Sequence, residues 1–220
     1  MPLIEIATVR LRPEFSSELP PSFTETWSRA LRLAGAAAGI PFQLYQNDRD
    51  SDLYYLFGGW ATGADHIAFL STSSAVELAQ AIGQYMTVDI VRHIDGDVRD
   101  LIGRQQTGDK LGRLKVGVYK VPNTMLDEWK HKWQLVHEGS DGVGGWDMSA
   151  SVQTQHKAFR EMGEAINSVS AFGGNDPGGI TSWVWVTLAG AGNEGDQGGM
   201  SKNLMEDVET DFFEMEHVLG

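Results

Sequence analysis

The stretch Leu53-Tyr54-Tyr55-Leu56-Phe57-Gly58-Gly59-Trp60-Ala61-Thr62-Gly63-Ala64-Asp65-His66-Ile67-Ala68-Phe69 reads as a strand leading directly into a helix. Aromatic and aliphatic residues fill 53–60, the composition of a pleated, buried segment. Thr62 then stands where a helix N-cap is needed, with Asp65 three residues on. Successive strand residues face opposite ways, so Tyr54 and Tyr55 cannot enter one cleft together. On the N-terminal side, residues 42–46 predict the hairpin partner, joined through the polar turn 47–52. Before it, Phe23, Trp27, Ala30, Leu31 and Ala34 recur at helical spacing, and Gly39-Ile40-Pro41 ends the run. Ser22-Phe23-Thr24-Glu25 has the form of a capping box for that helix. Residues 3–11 alternate as a first strand. On the C-terminal side, Ser74-Ala75-Val76-Glu77 predicts a further cap after a break near 71–74, and residues 87–94 a last strand. The order is β-α-β-β-α-β.

The pattern then resumes. Residues 114–121 predict a strand, Asn123 a cap, and Leu126, Trp129, Trp133 and Val136 the apolar stripe of a helix. Strands follow at 145–148, 182–188 and 211–218, with a helix at 200–208. Val91-Arg92-His93-Ile94 aligns with Met215-Glu216-His217-Val218, and the third strands are both rich in aromatic residues, one ending at Trp60 and the other containing Trp183 and Trp185. The second half adds a helical stretch at 151–170 and glycine-rich runs at 173–179 and 190–199, insertions of the length that often covers a site. The expectation is an α+β protein of two units in tandem, residues 1–105 and 106–220, each ferredoxin-like. Each sheet keeps one bare apolar face, and burying the two faces together gives an intramolecular dimeric α+β barrel.

Phe57 to Phe69 resembles the fungal branch of the dimeric α+β barrel superfamily, which includes antibiotic-biosynthesis monooxygenases, stress-responsive barrel proteins and small polyketide cyclases. The resemblance is direct over residues 3–95 and rests on element order beyond them. It implies a ligand cleft between sheet and helices, without metal or organic cofactor. Reactions differ widely on this scaffold, so the fold leaves function open.

Composition narrows the chemistry. Zero cysteines among 220 residues exclude disulfides, thiol nucleophiles and thiolate metal sites. A net charge of −13, negative in both halves, disfavours nucleic acid. No apolar run of about 18 residues and no secretory leader is evident, so a cytoplasmic protein without a membrane role is expected. Gly190 to Gly195 spells G-x-G-x-x-G, but Glu194 and Asp196 would oppose a pyrophosphate there. Asp95-Gly96-Asp97 with Asp100 lacks the glycine and glutamate of an EF-hand and reads as a solvated acidic linker. No cofactor and no metal are therefore expected.

His66, in the first turn of its helix, is the candidate general base, since the helix N-terminus favours neutral imidazole. Otherwise it packs or caps. His137 closes the other long helix on the face of Trp129 and Trp133, where the helix C-terminus favours imidazolium; it is the candidate acid, or else a solvated end residue. His93 and His217 read as matched structural residues at the barrel seam, and His131 and His156 as solvent-facing. Seven tryptophans make an apolar floor for a flat ligand plausible, with barrel core as the alternative. Trp27, Tyr45, Trp60, Trp129 and Trp133 are the candidate substrate-binding residues, and tyrosine hydroxyls can bond a substrate carbonyl. The leading expectation is a cofactor-free fungal secondary-metabolism enzyme that cyclises, dehydrates or isomerises a polyketide-like or aromatic intermediate. A cofactor-independent monooxygenase and a non-catalytic binding or stress-response barrel are the alternatives. The partner is a small hydrophobic or aromatic substrate, and a homodimer stays open.

Overall fold

The computed structural model of the chain describes residues 1–101, 112–137, 142–148, 179–189, 205 and 208–220, without the side chains of 136 and 137. The expected helices at 151–170 and 200–208, the glycine-rich runs and the G-x-G-x-x-G segment fall outside the described residues or almost entirely so. The strands are β1 (Leu3–Leu11), β2 (Gln43–Asn47), β3 (Leu53–Trp60), β4 (Met86–Asp95), β5 (Arg113–Pro122), β6 (Val143–Trp146), β7 (Ile180–Leu188) and β8 (Glu209–Leu219). The helices are α1 (Ser22–Ala38), α2 (Gly63–Leu70), α3 (Ser73–Tyr85) and α4 (Leu126–His137).

All neighbouring strands are antiparallel, in the order β4-β1-β3-β2-β8-β5-β7-β6. The order 4-1-3-2 of the first four strands recurs as 8-5-7-6 in the last four. A bridge between Ile94 and Asp147 brings the end of β6 beside β4 and closes the sheet. This is an α+β fold of the ferredoxin-like dimeric barrel type. Ile4, Ile6, Tyr45, Tyr55 and Phe57 meet Leu114, Val116, Val184 and Met215 in the barrel interior. Outside it, α1 and α3 cover one half of the sheet and α4 the other. Strand β1 is therefore buried on both faces, as Leu3 to Ala7 record without a break.

The stripe on α1 is buried as its spacing requires, and Gly39 ends the helix in the left-handed region at φ 69°. The capping box is not formed. Pro21 holds the N-cap position without a side-chain bond, and the Ser22 hydroxyl instead meets the Tyr85 hydroxyl at 2.9 Å. Thr62 caps α2 as expected, but Thr72, not Ser74, caps α3. Asn123 opens a 3-10 turn ahead of α4 and uses its side chain to accept from the Thr181 hydroxyl at 2.7 Å. The alignment of β4 with β8 sets residues of opposite faces against each other. His93 faces the helices beside Glu5, whereas His217 faces the barrel interior with its ring 5.5 Å from that of Tyr45. Tyr54 and Tyr55 separate to the two faces. Among the described residues no helix is long and apolar enough to cross a membrane.

Seam closure depends on Gly145, where a Cβ would run into the Asp95 carbonyl of β4. Gly145→Ala is expected to cost about 1–3 kcal/mol in urea denaturation, through strain at a packed contact. A midpoint equal to that of the parent protein would show that the seam yields freely.

Candidate functional site

Three titratable side chains converge between the sheet and α2. Glu5 lies on β1, directly opposite His93 on β4, and both project toward the helices. His66 comes from the first turn of α2, whose start is fixed by the Asp65 N–H donating to the Thr62 hydroxyl at 3.2 Å. Trp60, the last residue of β3, lies under His66, with rings 4.5 Å apart and nearly parallel at 13°. Gly58 has no side chain, so the Phe42 ring fills that space and packs edge-on against Trp60.

The contacts are close. His93 Nε2 lies 3.1 Å from His66 Nδ1, and His66 Nε2 lies 3.3 Å from Glu5 Oε2. Trp60 Nε1 donates to the same oxygen at 2.7 Å, and His93 Nε2 is 3.9 Å from it. Relative exposure is 8% for Glu5, 4% for His66 and 0% for His93, which makes Glu5 the most accessible of the three. Burial controls their protonation. It pushes His66 down to about 3 and His93 down to about 4, the latter although the Glu5 charge works in the opposite direction. Burial also raises Glu5, against the lowering influence of His93 and of the Trp60 hydrogen bond. Both imidazoles are thus neutral near pH 7. His66 is neutral as expected, but desolvation rather than the helix dipole is the cause.

His93 also ties this cluster to the seam. Its carbonyl accepts from the Met148 N–H at 2.6 Å, and its neighbour Arg92 donates to Asp147 at 2.8 Å. Beyond β6 lies a cavity of about 600 Å³ lined by His131, Trp133, Gln134, Leu135, Gly144, Trp183 and Trp185. Trp146 on β6 stands edge-on to Trp183 at 4.8 Å. The aromatic cavity and the titratable cluster therefore lie on either side of the β4–β6 seam.

The candidate residues separate into groups. His66 and Trp60 are in contact, and Trp27 lies deep in the same core under α1, fully buried. Tyr45 points into the barrel interior, where its hydroxyl donates to Gln43 at 2.6 Å, so it is on the opposite sheet face from His66. Trp129 and Trp133 belong to a second aromatic cluster with Tyr119 and Trp183, and Trp133 borders the cavity. His137 ends α4, and its side chain lies outside the described residues. Asp97, considered for calcium, is held by the Arg99 guanidinium at 2.8 and 3.0 Å. Glu5 and His93 are the functional candidates that sequence reasoning missed. The available signal was a lone acidic residue in an otherwise apolar strand, Leu3 to Val9.

No family model matches the chain, and no curated protein matches its sequence. Similar solved structures exist. A protein of Fusobacterium nucleatum assigned as a candidate monooxygenase is 8% identical, with a TM-score of 0.58 over 98% of this chain and 92% of that one. A candidate monooxygenase of Lactobacillus acidophilus is 10% identical, with a TM-score of 0.45 over 85% of this chain and 96% of that one. A chlorite dismutase of Candidatus Nitrospira defluvii is 13% identical, with a TM-score of 0.44 over 83% and 90% of the respective chains. At these identities the likeness to the Fusobacterium protein concerns the fold.

Proposed function

We propose that the protein is an enzyme that abstracts a proton next to a carbonyl or phenol in an aromatic or polyketide-like intermediate, with Glu5, His66 and His93 as its acid–base centre. The observation that carries this reading is the burial of three titratable groups in direct succession within an apolar core. Desolvating such groups is unfavourable, and structures place them together where chemistry needs shifted protonation. His66 has both ring nitrogens directed at neighbours, so it relays and positions. Glu5 is the group that finally holds the proton: its affinity is raised toward the range useful to a base, and its side chain is the most accessible. The tryptophan-lined cavity across the seam suits a flat apolar substrate. Placement in fungal secondary metabolism is carried by the resemblance of residues 57–69 alone.

The test needs no natural substrate. Deuterium incorporation from heavy water into aryl β-diketones and anthrone-like phenols, followed by NMR, is expected to be catalysed. Oxygen uptake without exchange favours the second reading, a cofactor-independent monooxygenase, which the name of the Fusobacterium relative also suggests. Binding with neither activity favours a ligand-binding barrel. The proposal treats 1–105 and 106–220 as two units whose sheets need each other, because Ile4, Ile6, Tyr45 and Phe57 share one core with Leu114, Val116 and Met215. A fragment of residues 1–105 is expected to associate or aggregate in sedimentation, and a folded monomer would refute the division.

A further inference from the structure

We propose that Glu5, His66 and His93 form a binding site for a first-row divalent transition metal, held by two imidazole nitrogens and one carboxylate oxygen. One donor atom from each residue falls within 4.8 Å of the others: His93 Nε2 lies 3.9 Å from Glu5 Oε2, and His66 presents Nδ1 at 3.1 Å from the first and Nε2 at 3.3 Å from the second. Ligands bound at about 2.1 Å stand about 3.0 to 3.4 Å apart in octahedral and tetrahedral sites, so turning the His66 ring to bring one of its nitrogens toward both partners completes the set. The donors come from three elements, β1, α2 and β4, on rigid backbone. Trp60 Nε1 holds the carboxylate by donating to Glu5 Oε2, the arrangement by which outer groups orient metal ligands. Imidazole with carboxylate and no sulfur selects zinc, iron or cobalt over calcium and magnesium. Three protein ligands leave positions for water or a substrate oxygen, as in sites that perform chemistry.

The inference rests on the reading of this cluster as the reaction centre, where Glu5, His66 and His93 would hold the cation and the cation would supply Lewis-acid chemistry. The full-length protein, purified without a histidine tag and stripped with chelator, is titrated with Zn²⁺ and with Co²⁺. One equivalent is expected to bind, the cobalt form showing visible d–d bands. His93→Gln and Glu5→Gln are expected to lose stoichiometric binding, and Trp60→Phe to weaken it about 10- to 100-fold. His131→Gln should keep the full equivalent. Should the ligand variants fail to fold, Trp60→Phe and the cobalt spectrum of the parent decide. No saturable binding, or binding indifferent to these substitutions, overturns the site even if proton exchange is catalysed. Stoichiometric binding that depends on the three residues establishes it even if no exchange is found, which would instead remove the proposed reaction.

Discussion

Glu5→Gln is expected to lower catalysed deuterium exchange by about 10²- to 10⁴-fold, the usual contribution of a positioned base. The amide keeps the shape of the carboxylate and can still accept from Trp60 Nε1, so the core around it should survive. It can neither take a proton nor pair with a charged imidazole. His66→Gln reads the other end of the same contact. Glutamine can donate and accept in place of the ring nitrogens that face Glu5 and His93, but it carries no proton onward. Its rate should also fall, with substrate affinity little changed. If His66 only packs against Trp60, the opposite pattern appears: a lower melting temperature and full exchange per folded molecule. Measuring melting and exchange on one preparation separates the two, and an Glu5→Gln enzyme with undiminished exchange removes the cluster from catalysis.

The second large effect is acid lability of the metal-free protein, measured with chelator present. His66 and His93 have folded values of about 3 and about 4, below the ordinary 6.5. As pH falls from 6.5 toward 4.5 the unfolded chain therefore takes up both protons while the folded chain stays largely unprotonated at these rings, so stability falls as pH falls. Glu5 works the other way. Raised above 4.5, it keeps a proton in the folded state that the unfolded chain releases. His217, also lowered by burial, adds to the histidine side. The net uptake grows as pH falls and reaches about one proton toward pH 4.5, where it is worth roughly 1.4 kcal/mol per pH unit. His66→Gln should flatten the profile between pH 4.5 and 6.5. A parent melting temperature independent of pH there would show that the imidazoles titrate normally.

The first half of the fold was legible because its signals are local. The α1 stripe, the Thr62 cap and the strand at 53–60 each lie within one short window of sequence, and all three stand in the structure. Capping failed where a tertiary partner competed: Tyr85, 63 residues away, takes the Ser22 hydroxyl. The centre was only partly legible. His66 carried a local signature, whereas Glu5 meets it through pairing of β1 with β4, a register no short motif encodes. The strand read as alternating, with Glu5 on the less apolar side, because interior and helices both cover β1 and the ordinary distinction between its faces disappears. The mismatch of His93 with His217, which face opposite sides, has a similar origin, since their strands run alike in composition while only pleating decides the face.

Strand β8 occupies the middle of the sheet, between β2 and β5. During synthesis, the edge of β2 at Gln43–Asn47 thus has no permanent neighbour until Glu209–Leu219 has left the ribosome. About 160 residues intervene, and at ~5–20 residues per second the wait is roughly 8 to 32 seconds. An unpaired strand edge invites pairing with other chains. Nascent copies on a crowded polysome therefore compete with the chain's own last strand for that edge, and slowing elongation after residue 50 should raise the yield of intertwined, swapped assemblies.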